Sequence, residues 1–240
     1  MTRLGVLYPP CGAEFEYYRY GEKLGDAVRV ALVGVRIHGG SDEHAPEHLS
    51  RTGELDNLCL SARVMERLEP DAAVWACTSG SFIDGLAHAR AQIRAIGDTL
   101  GCPATSTSLA FAAALEELGI DTVSVLASYP ERTASAFFSF LSECGIDVHA
   151  YQCLDIDSGP AAASLGQDTV AAACQDLVVP ADASLLIPDT AIPAMHWIEP
   201  LEEVIDRPVL TANQVSLWHT ARLAGIDPPY SLPGRLLAAS

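Results

Sequence analysis

The sequence predicts an α/β protein of two pseudo-symmetric lobes, each a parallel β-sheet flanked by helices, with one cleft between them. Three observations predict it. Short hydrophobic runs alternate with stretches of helical period, as expected when parallel strands are covered by helices. A glycine stands just past three of the helical stretches. The second half of the chain also echoes the first in the same order.

In chain order, residues 4–8 and 28–35 read as strands. Residues 54–68 read as a helix, because Leu55, Leu58, Ala62, Met65 and Leu68 recur at helical spacing. A strand at 72–76 runs into a helix that starts near Ser81. A strand at 104–106 leads into a helix at 107–118, ended by Gly119. A strand at 122–127 precedes a helix at 133–144, ended by Gly145. Strands follow at 147–153, 184–187 and 209–211, and a last helix at 213–224 is ended by Gly225. Glycine at these ends supplies the left-handed residue that a helix C-terminus favours.

The repeat sets the lobes. Val6-Leu7-Tyr8-Pro9 is echoed by Val125-Leu126-Ala127-Ser128-Tyr129-Pro130. Pro103-Ala104-Thr105 leads to Leu118-Gly119-Ile120, as Pro208-Val209-Leu210-Thr211 leads to Ala224-Gly225-Ile226. Between these echoes "WACTSGS" corresponds to "LIPDTAI", which places Asp189 opposite Cys77 and Thr190 opposite Thr78. Lobe 1 is expected to comprise residues 1–100 plus 208–240, and lobe 2 residues 101–207.

Composition excludes several functions. The net charge of −17 disfavours nucleic acid, whose phosphates need clustered Lys and Arg. Lys23 is the sole lysine, and its neighbours match no phosphate loop. No apolar run nears the ~18 residues that span a bilayer, and the N-terminus runs into a strand without a signal-peptide layout. Seven scattered cysteines argue against a disulfide framework. The expectation is a cytoplasmic protein that binds neither nucleic acid nor membrane. A homo-oligomer is compatible with the sequence.

Ligands of open parallel sheets bind beyond the carboxyl ends of the strands. Pro9-Pro10, Cys77-Thr78-Ser79, Tyr129 and Asp189-Thr190 all fall at such ends. These residues carry a resemblance to the aspartate/glutamate racemase superfamily, within it to the arylmalonate decarboxylase and maleate cis-trans isomerase branch. It runs through "GVLYPP", "ACTSGSF", "VSVLASYPERTASAFFSFL", "SLLIPDT" and "PVLTANQVSLWHTARLAGI". The resemblance implies a cofactor-free enzyme with its site between two lobes. Racemases and maleate isomerases of this kind carry a cysteine in each half. Arylmalonate decarboxylases keep one, in the second half, with glycine at the first. Thr78 and Ser79 match the decarboxylase positions that bind the retained carboxylate, Tyr129 its tyrosine, and Pro9-Pro10 its first-loop prolines. This chain departs from each pattern, with Cys77 in the first half and Asp189 in the second cysteine's place.

Cys77 also has a plain reading as a buried thiol. A strand end, a following helix and flanking hydroxyls would instead lower its pKa and make it reactive. Asp189 reads as a helix cap, or as an acid whose pKa is raised beside anionic groups. Cys11 and the five other cysteines are assigned to packing. In "HGGSDEHAPEH", His38, His44 and His48 stand among Asp42, Glu43 and Glu47; a loop covering the cleft, hinged at Gly39-Gly40, is preferred to a metal site, and Pro46 starts a helix. Asn213-Gln214, His219 and His196-Trp197 read equally as cleft support or packing. The expected function is cysteine-dependent chemistry at the α-carbon of a small carboxylate or dicarboxylate. Arylmalonate-type decarboxylation leads, with Cys77 as proton donor; alternatives are maleate isomerisation, amino-acid racemisation and non-catalytic carboxylate binding. No cofactor or metal is expected.

Overall fold

A computed structural model describes residues 1–40, 43–226, 228 and 231–237. The chain runs through β1 (Thr2–Tyr8), α1 (Glu14–Gly21), β2 (Val28–Gly34), α2 (Pro46–Thr52), α3 (Leu55–Glu66), β3 (Ala72–Trp75), α4 (Thr78–Phe82), α5 (Gly85–Leu100), β4 (Ala104–Ser106) and α6 (Thr107–Leu118). It continues through β5 (Thr122–Ala127), α7 (Glu131–Glu143), β6 (Asp147–Cys153), α8 (Gly159–Ala163), α9 (Gln167–Asp176), β7 (Ser184–Ile187), α10 (Ile198–Ile205), β8 (Val209–Thr211) and α11 (Ala212–Leu223).

Among the described residues the strands form two four-stranded parallel sheets, ordered β2-β1-β3-β4 and β6-β5-β7-β8. The two orders are the same order shifted by four strands, which is the repeat seen in the sequence expressed as topology. The inner strands β3 and β7 are buried at every position, as strands covered on both faces must be. The outer strands β2 and β6 are partly exposed, and β6 alternates along its length. Gly119, Gly145 and Gly225 all take positive φ, between 65° and 79°, at their helix ends.

The sheets part later than the expected boundary at residue 100. Ala104–Ser106 pairs with β3 in the first sheet, and Val209–Thr211 pairs with β7 in the second. One backbone bond fixes both in the same way. The Ala73 N–H donates to the Pro103 carbonyl at 2.9 Å, and the Leu185 N–H to the Pro208 carbonyl at 2.9 Å. The crossings between halves are made by the helices that follow, since α6 packs on α11 and α11 lies on β3 and β4. Phe111 of α6 meets Phe137 of α7 edge-on at 6.0 Å, so one apolar core joins the halves. No helix among the described residues is long and apolar enough to cross a membrane.

Candidate active site

Cys77 stands two residues beyond the end of β3, and Asp189 two beyond the end of β7. Because the strands are parallel and the sheets share one topology, both side chains reach the wall of one cavity, of about 40 Å³. Cys77 is the N-cap of α4 with extended backbone, and its Sγ accepts the Gly80 N–H at 3.3 Å. The Ser79 hydroxyl lies 3.8 Å from the same sulfur. Gly80 has no side chain for a physical reason: a Cβ there would stand 3.0 Å from Trp75 and 3.1 Å from the Cys77 sulfur.

Burial pushes the Cys77 thiol up to about 11; the Gly80 N–H and the Ser79 hydroxyl pull down and Asp189 pushes further up. This corrects the expectation of a lowered pKa. The Gly80 and Ser79 N–H groups and one weak hydroxyl contact do not offset the removal of a side chain with 5% exposure from water. Burial therefore favours the thiol over the thiolate at Cys77.

Asp189 is held from both sides. One carboxylate oxygen accepts the Ser128 hydroxyl in a short bond, and the other accepts the Ala191 N–H at 2.9 Å. Thr190 borders the same cavity, and its carbonyl accepts from the Tyr8 hydroxyl at 2.9 Å and from Asn213 Nδ2 at 3.2 Å. Asn213 Nδ2 also donates to Glu16 at 2.7 Å, and Asn213 Oδ1 accepts the Tyr17 hydroxyl at 2.9 Å. Asn213 thus supports the loop that carries Asp189. Gln214 instead closes a capping box with Thr211. His219 bonds Thr105 at 3.0 Å, and His196 is 44% exposed, so neither reaches this cavity.

Pro9 and Ser79 border the cavity, whereas Pro10 is exposed and outside its wall. Tyr129 is buried; its hydroxyl donates to the Pro188 carbonyl, and its ring meets His44 edge-on at 4.9 Å and Phe82 at 5.7 Å. Thr78 is buried next to Cys77, and its hydroxyl has no partner. Neither Thr78 nor Tyr129 is part of the cavity wall.

Eight wall residues were not assigned to the site from sequence, three of them titratable: Cys11, Glu43 and His44. Cys11, assigned to packing, borders the cavity, and its thiol donates to the Tyr8 hydroxyl at 3.0 Å. Its place on the loop after β1 was the available signal. Glu43 and His44 reach the wall from the segment read as a loop over the cleft. That segment turns at Gly39 with φ of 116° and enters α2 at Pro46. Among the described residues no three His, Cys, Asp or Glu side chains stand close enough to hold a metal; Asp42 lies outside the described residues.

A family model described as arylmalonate decarboxylase matches residues 51–237. No curated protein matches the chain at a significant level. Among solved structures, a maleate cis-trans isomerase from Nocardia farcinica with TRIS bound gives a TM-score of 0.89 at 18% identity, over 99% of this chain and 98% of its own. A cysteine-to-alanine variant of a maleate isomerase from Pseudomonas putida S16 with maleate gives 0.88 at 16%, over 100% and 98%. A glycine-to-cysteine, cysteine-to-serine double mutant of arylmalonate decarboxylase in its liganded form gives 0.83 at 22%, over 100% of both chains. At these identities the likeness establishes a shared fold.

Proposed function

The chain belongs to the arylmalonate decarboxylase family, and from that premise we propose that it decarboxylates a small substituted malonate, with Cys77 as the proton donor. The observation that carries this reading is a buried cysteine at the N-cap of α4, on the wall of the cavity it shares with Asp189; burial pushes its thiol up to about 11. The bond from the α-carbon to one carboxylate breaks and CO2 leaves. The electron pair passes into the retained carboxyl group as an enediolate. The Cys77 thiol then protonates the α-carbon, and water returns a proton to the thiolate. An enediolate carbon is far more basic than a thiolate, so a thiol of raised pKa still serves as acid. The Ser79 hydroxyl borders the cavity and is the donor at hand for the retained carboxylate; Thr78, buried beside it, lies outside the wall. The Tyr129 hydroxyl already donates to the Pro188 carbonyl, so Tyr129 acts through its ring, which backs the wall residue His44.

The arrangement favours one proton donor over two. The position matching the second cysteine is Asp189, and both of its oxygens already accept hydrogen bonds. Addition of sulfur to a double bond, as in maleate isomerisation, needs the thiolate that burial suppresses. The double mutant among the neighbours carries an added cysteine and lacks a native one; with Cys77 and Asp189 this chain has a comparable arrangement.

Malonates, maleate and amino acids incubated in deuterated water and read by NMR test the proposal. The expected result is release of CO2 from a malonate and one deuterium on the product's α-carbon. Cys77→Ala is expected to lower kcat by about 10²–10⁴-fold with unchanged thermal melting. A Cys77→Ala enzyme with wild-type turnover overturns the role of Cys77. Conversion of maleate alone would replace decarboxylation by isomerisation, and binding of malonates without any product would leave a carboxylate-binding protein.

A further inference from the structure

Beyond β7 the chain runs without regular structure through residues 188–194, buried at Asp189, Thr190, Ala191, Ile192 and Ala194, and at Met195 where it ends. Buried backbone outside helices and sheets needs other partners for its N–H and carbonyl groups. At the two ends of this segment they come from one pair, Glu16 of α1 and Asn213 of α11. The Thr190 carbonyl accepts Asn213 Nδ2 at 3.2 Å, and the Met195 N–H donates to Glu16 Oε1 at 2.9 Å. The pair is itself joined, Asn213 Nδ2 donating to Glu16 Oε2 at 2.7 Å. Tyr17 holds Asn213 Oδ1, and the Tyr8 hydroxyl, which accepts the Cys11 thiol, adds a second bond to the Thr190 carbonyl at 2.9 Å. Glu16 and Asn213 lie outside the cavity wall, whereas Cys11, Asp189, Thr190 and Ala191 form part of it.

Each Glu16 oxygen accepts a bond from a donor, which suits an ionised carboxylate. A proton on either oxygen competes with a donor for the same atom and removes the charge that strengthens both bonds. The ionisable groups around Glu16 are few. α1 itself brings Tyr17, Arg19 and Tyr20, and the segment after β7 brings His196, its Nδ1 4.0 Å from Oε1. β1 brings Tyr8, packed on the Tyr17 ring, α10 brings Glu199 beside Tyr20, and α11 brings the uncharged Asn213. Burial raises the Glu16 carboxyl to about 7, against Asn213, the Met195 N–H and Arg19.

We infer that Glu16 is a positioning residue of the active site: with Asn213 it clamps both ends of the segment behind Asp189 and Thr190, and its ionisation governs turnover from outside the cavity. The inference rests on the decarboxylase reading for the reaction whose rate is followed. The ionised carboxylate holds Met195 and, through Asn213, Thr190, and so keeps the Asp189 side of the wall in register with Cys77 on the other. The protonated carboxyl loosens one end or the other, and a small misplacement of a wall costs rate more than affinity.

Two pH titrations of the full chain test it. In the first, kcat for the malonate that is turned over is followed from pH 6 to pH 8. It is expected to rise about tenfold along a single-proton curve, with a smaller change in KM. Glu16→Gln carries no proton to lose and brings an amide that cannot accept at both ends. Its kcat is expected to stay flat over that range, about tenfold below the wild-type plateau. His196→Gln removes the neighbouring imidazole and is expected to keep the wild-type curve. In the second, amide NMR without substrate is expected to show the Thr190 and Met195 signals of the wild-type chain moving together, with a midpoint near the same pH. A flat wild-type kcat, amide signals that do not move, a wild-type curve in Glu16→Gln, or loss of the curve in His196→Gln overturns the inference. The wild-type measurements do not depend on how a variant folds. The NMR titration needs no turnover, so a chain that releases no CO2 would sink the decarboxylase reading while the Thr190 and Met195 signals still judged this one.

Discussion

Cys77 and Glu16 are two buried acids set by the same force in different surroundings. Burial raises both pKa values; at Cys77 it keeps the proton on the sulfur, and at Glu16 it creates a group that titrates near neutrality. Glu16 is fully buried and is raised from 4.5 to about 7, against the pull of Asn213 Nδ2 and the Met195 N–H. The native carboxyl therefore holds its proton up to about pH 7, whereas the unfolded chain releases it near 4.5. Across that window the native state binds more protons, so this group's contribution to stability falls as pH rises, and is flat outside it. The loss amounts to on the order of 3 kcal/mol when complete. Glu16→Gln carries no such proton. Its stability relative to wild type, measured by urea unfolding, is expected to rise between pH 4.5 and 7 and level off above. Parallel curves for the two proteins across that range would contradict the assignment.

At the scale of the element, α4 is one short turn whose work is to hold a thiol. Its second residue, Ser79, faces the cavity, and its third, Gly80, both donates to the sulfur and leaves room for it. Gly80→Ala would place a methyl group 3.1 Å from that sulfur and 3.0 Å from the Trp75 ring. The thiol can rotate away more easily than the indole. The variant is expected to lose about tenfold or more in kcat with a smaller change in KM, and roughly 1–3 kcal/mol of stability. Wild-type kcat in a folded Gly80→Ala protein would show that the sulfur's position is not critical. Elements of this size test what sequence can tell. The strands Thr122–Ala127 and Ser184–Ile187 and the helix Thr107–Leu118 lie where the periodicity put them. The helix Gly85–Leu100 was legible too, since Leu86, Ala89, Ile93, Ile96 and Leu100 keep helical spacing, although only its approach was read. Helix α1, "EFEYYRYG", carries no such signal; it forms because Tyr17 and Tyr20 pack inward and Glu16 finds partners on distant segments.

For the whole molecule, the repeat places Cys77 and Asp189 at matching ends of two matching sheets. A proton from Cys77 and a proton from residue 189 would reach the α-carbon from opposite sides. The exchange Cys77→Gly with Asp189→Cys moves the donor from one half to the other. With a malonate bearing two different substituents, the α-carbon of the product acid is stereogenic. Wild type and the exchanged protein are expected to give opposite enantiomers, read by chiral chromatography, at lower turnover in the exchanged protein because its new thiol lacks the Gly80 N–H. The same enantiomer in excess from both would place the proton donor elsewhere. Aspartate opposite Cys77 was visible from the internal echo alone, because equal strand–helix spacing forces equal positions at the strand ends.

The sequence by itself determined the order of the strands, the twofold repeat, and the set of strand ends that supply Cys77, Ser79, Asp189 and Thr190, because hydrophobic period and turn residues act over a few positions. It did not determine where β4 and β8 pair, how deeply Cys77 is buried, or that Cys11, Glu43 and His44 share the cavity. Those are settled by contacts between segments far apart in the chain: His44 with Ile156, 112 residues on, and Glu16 with Asn213, 197 residues on. Burial, and with it the protonation of a thiol and the charge of a cavity, depends on everything packed around a group. Only the assembled tertiary structure sums those contributions.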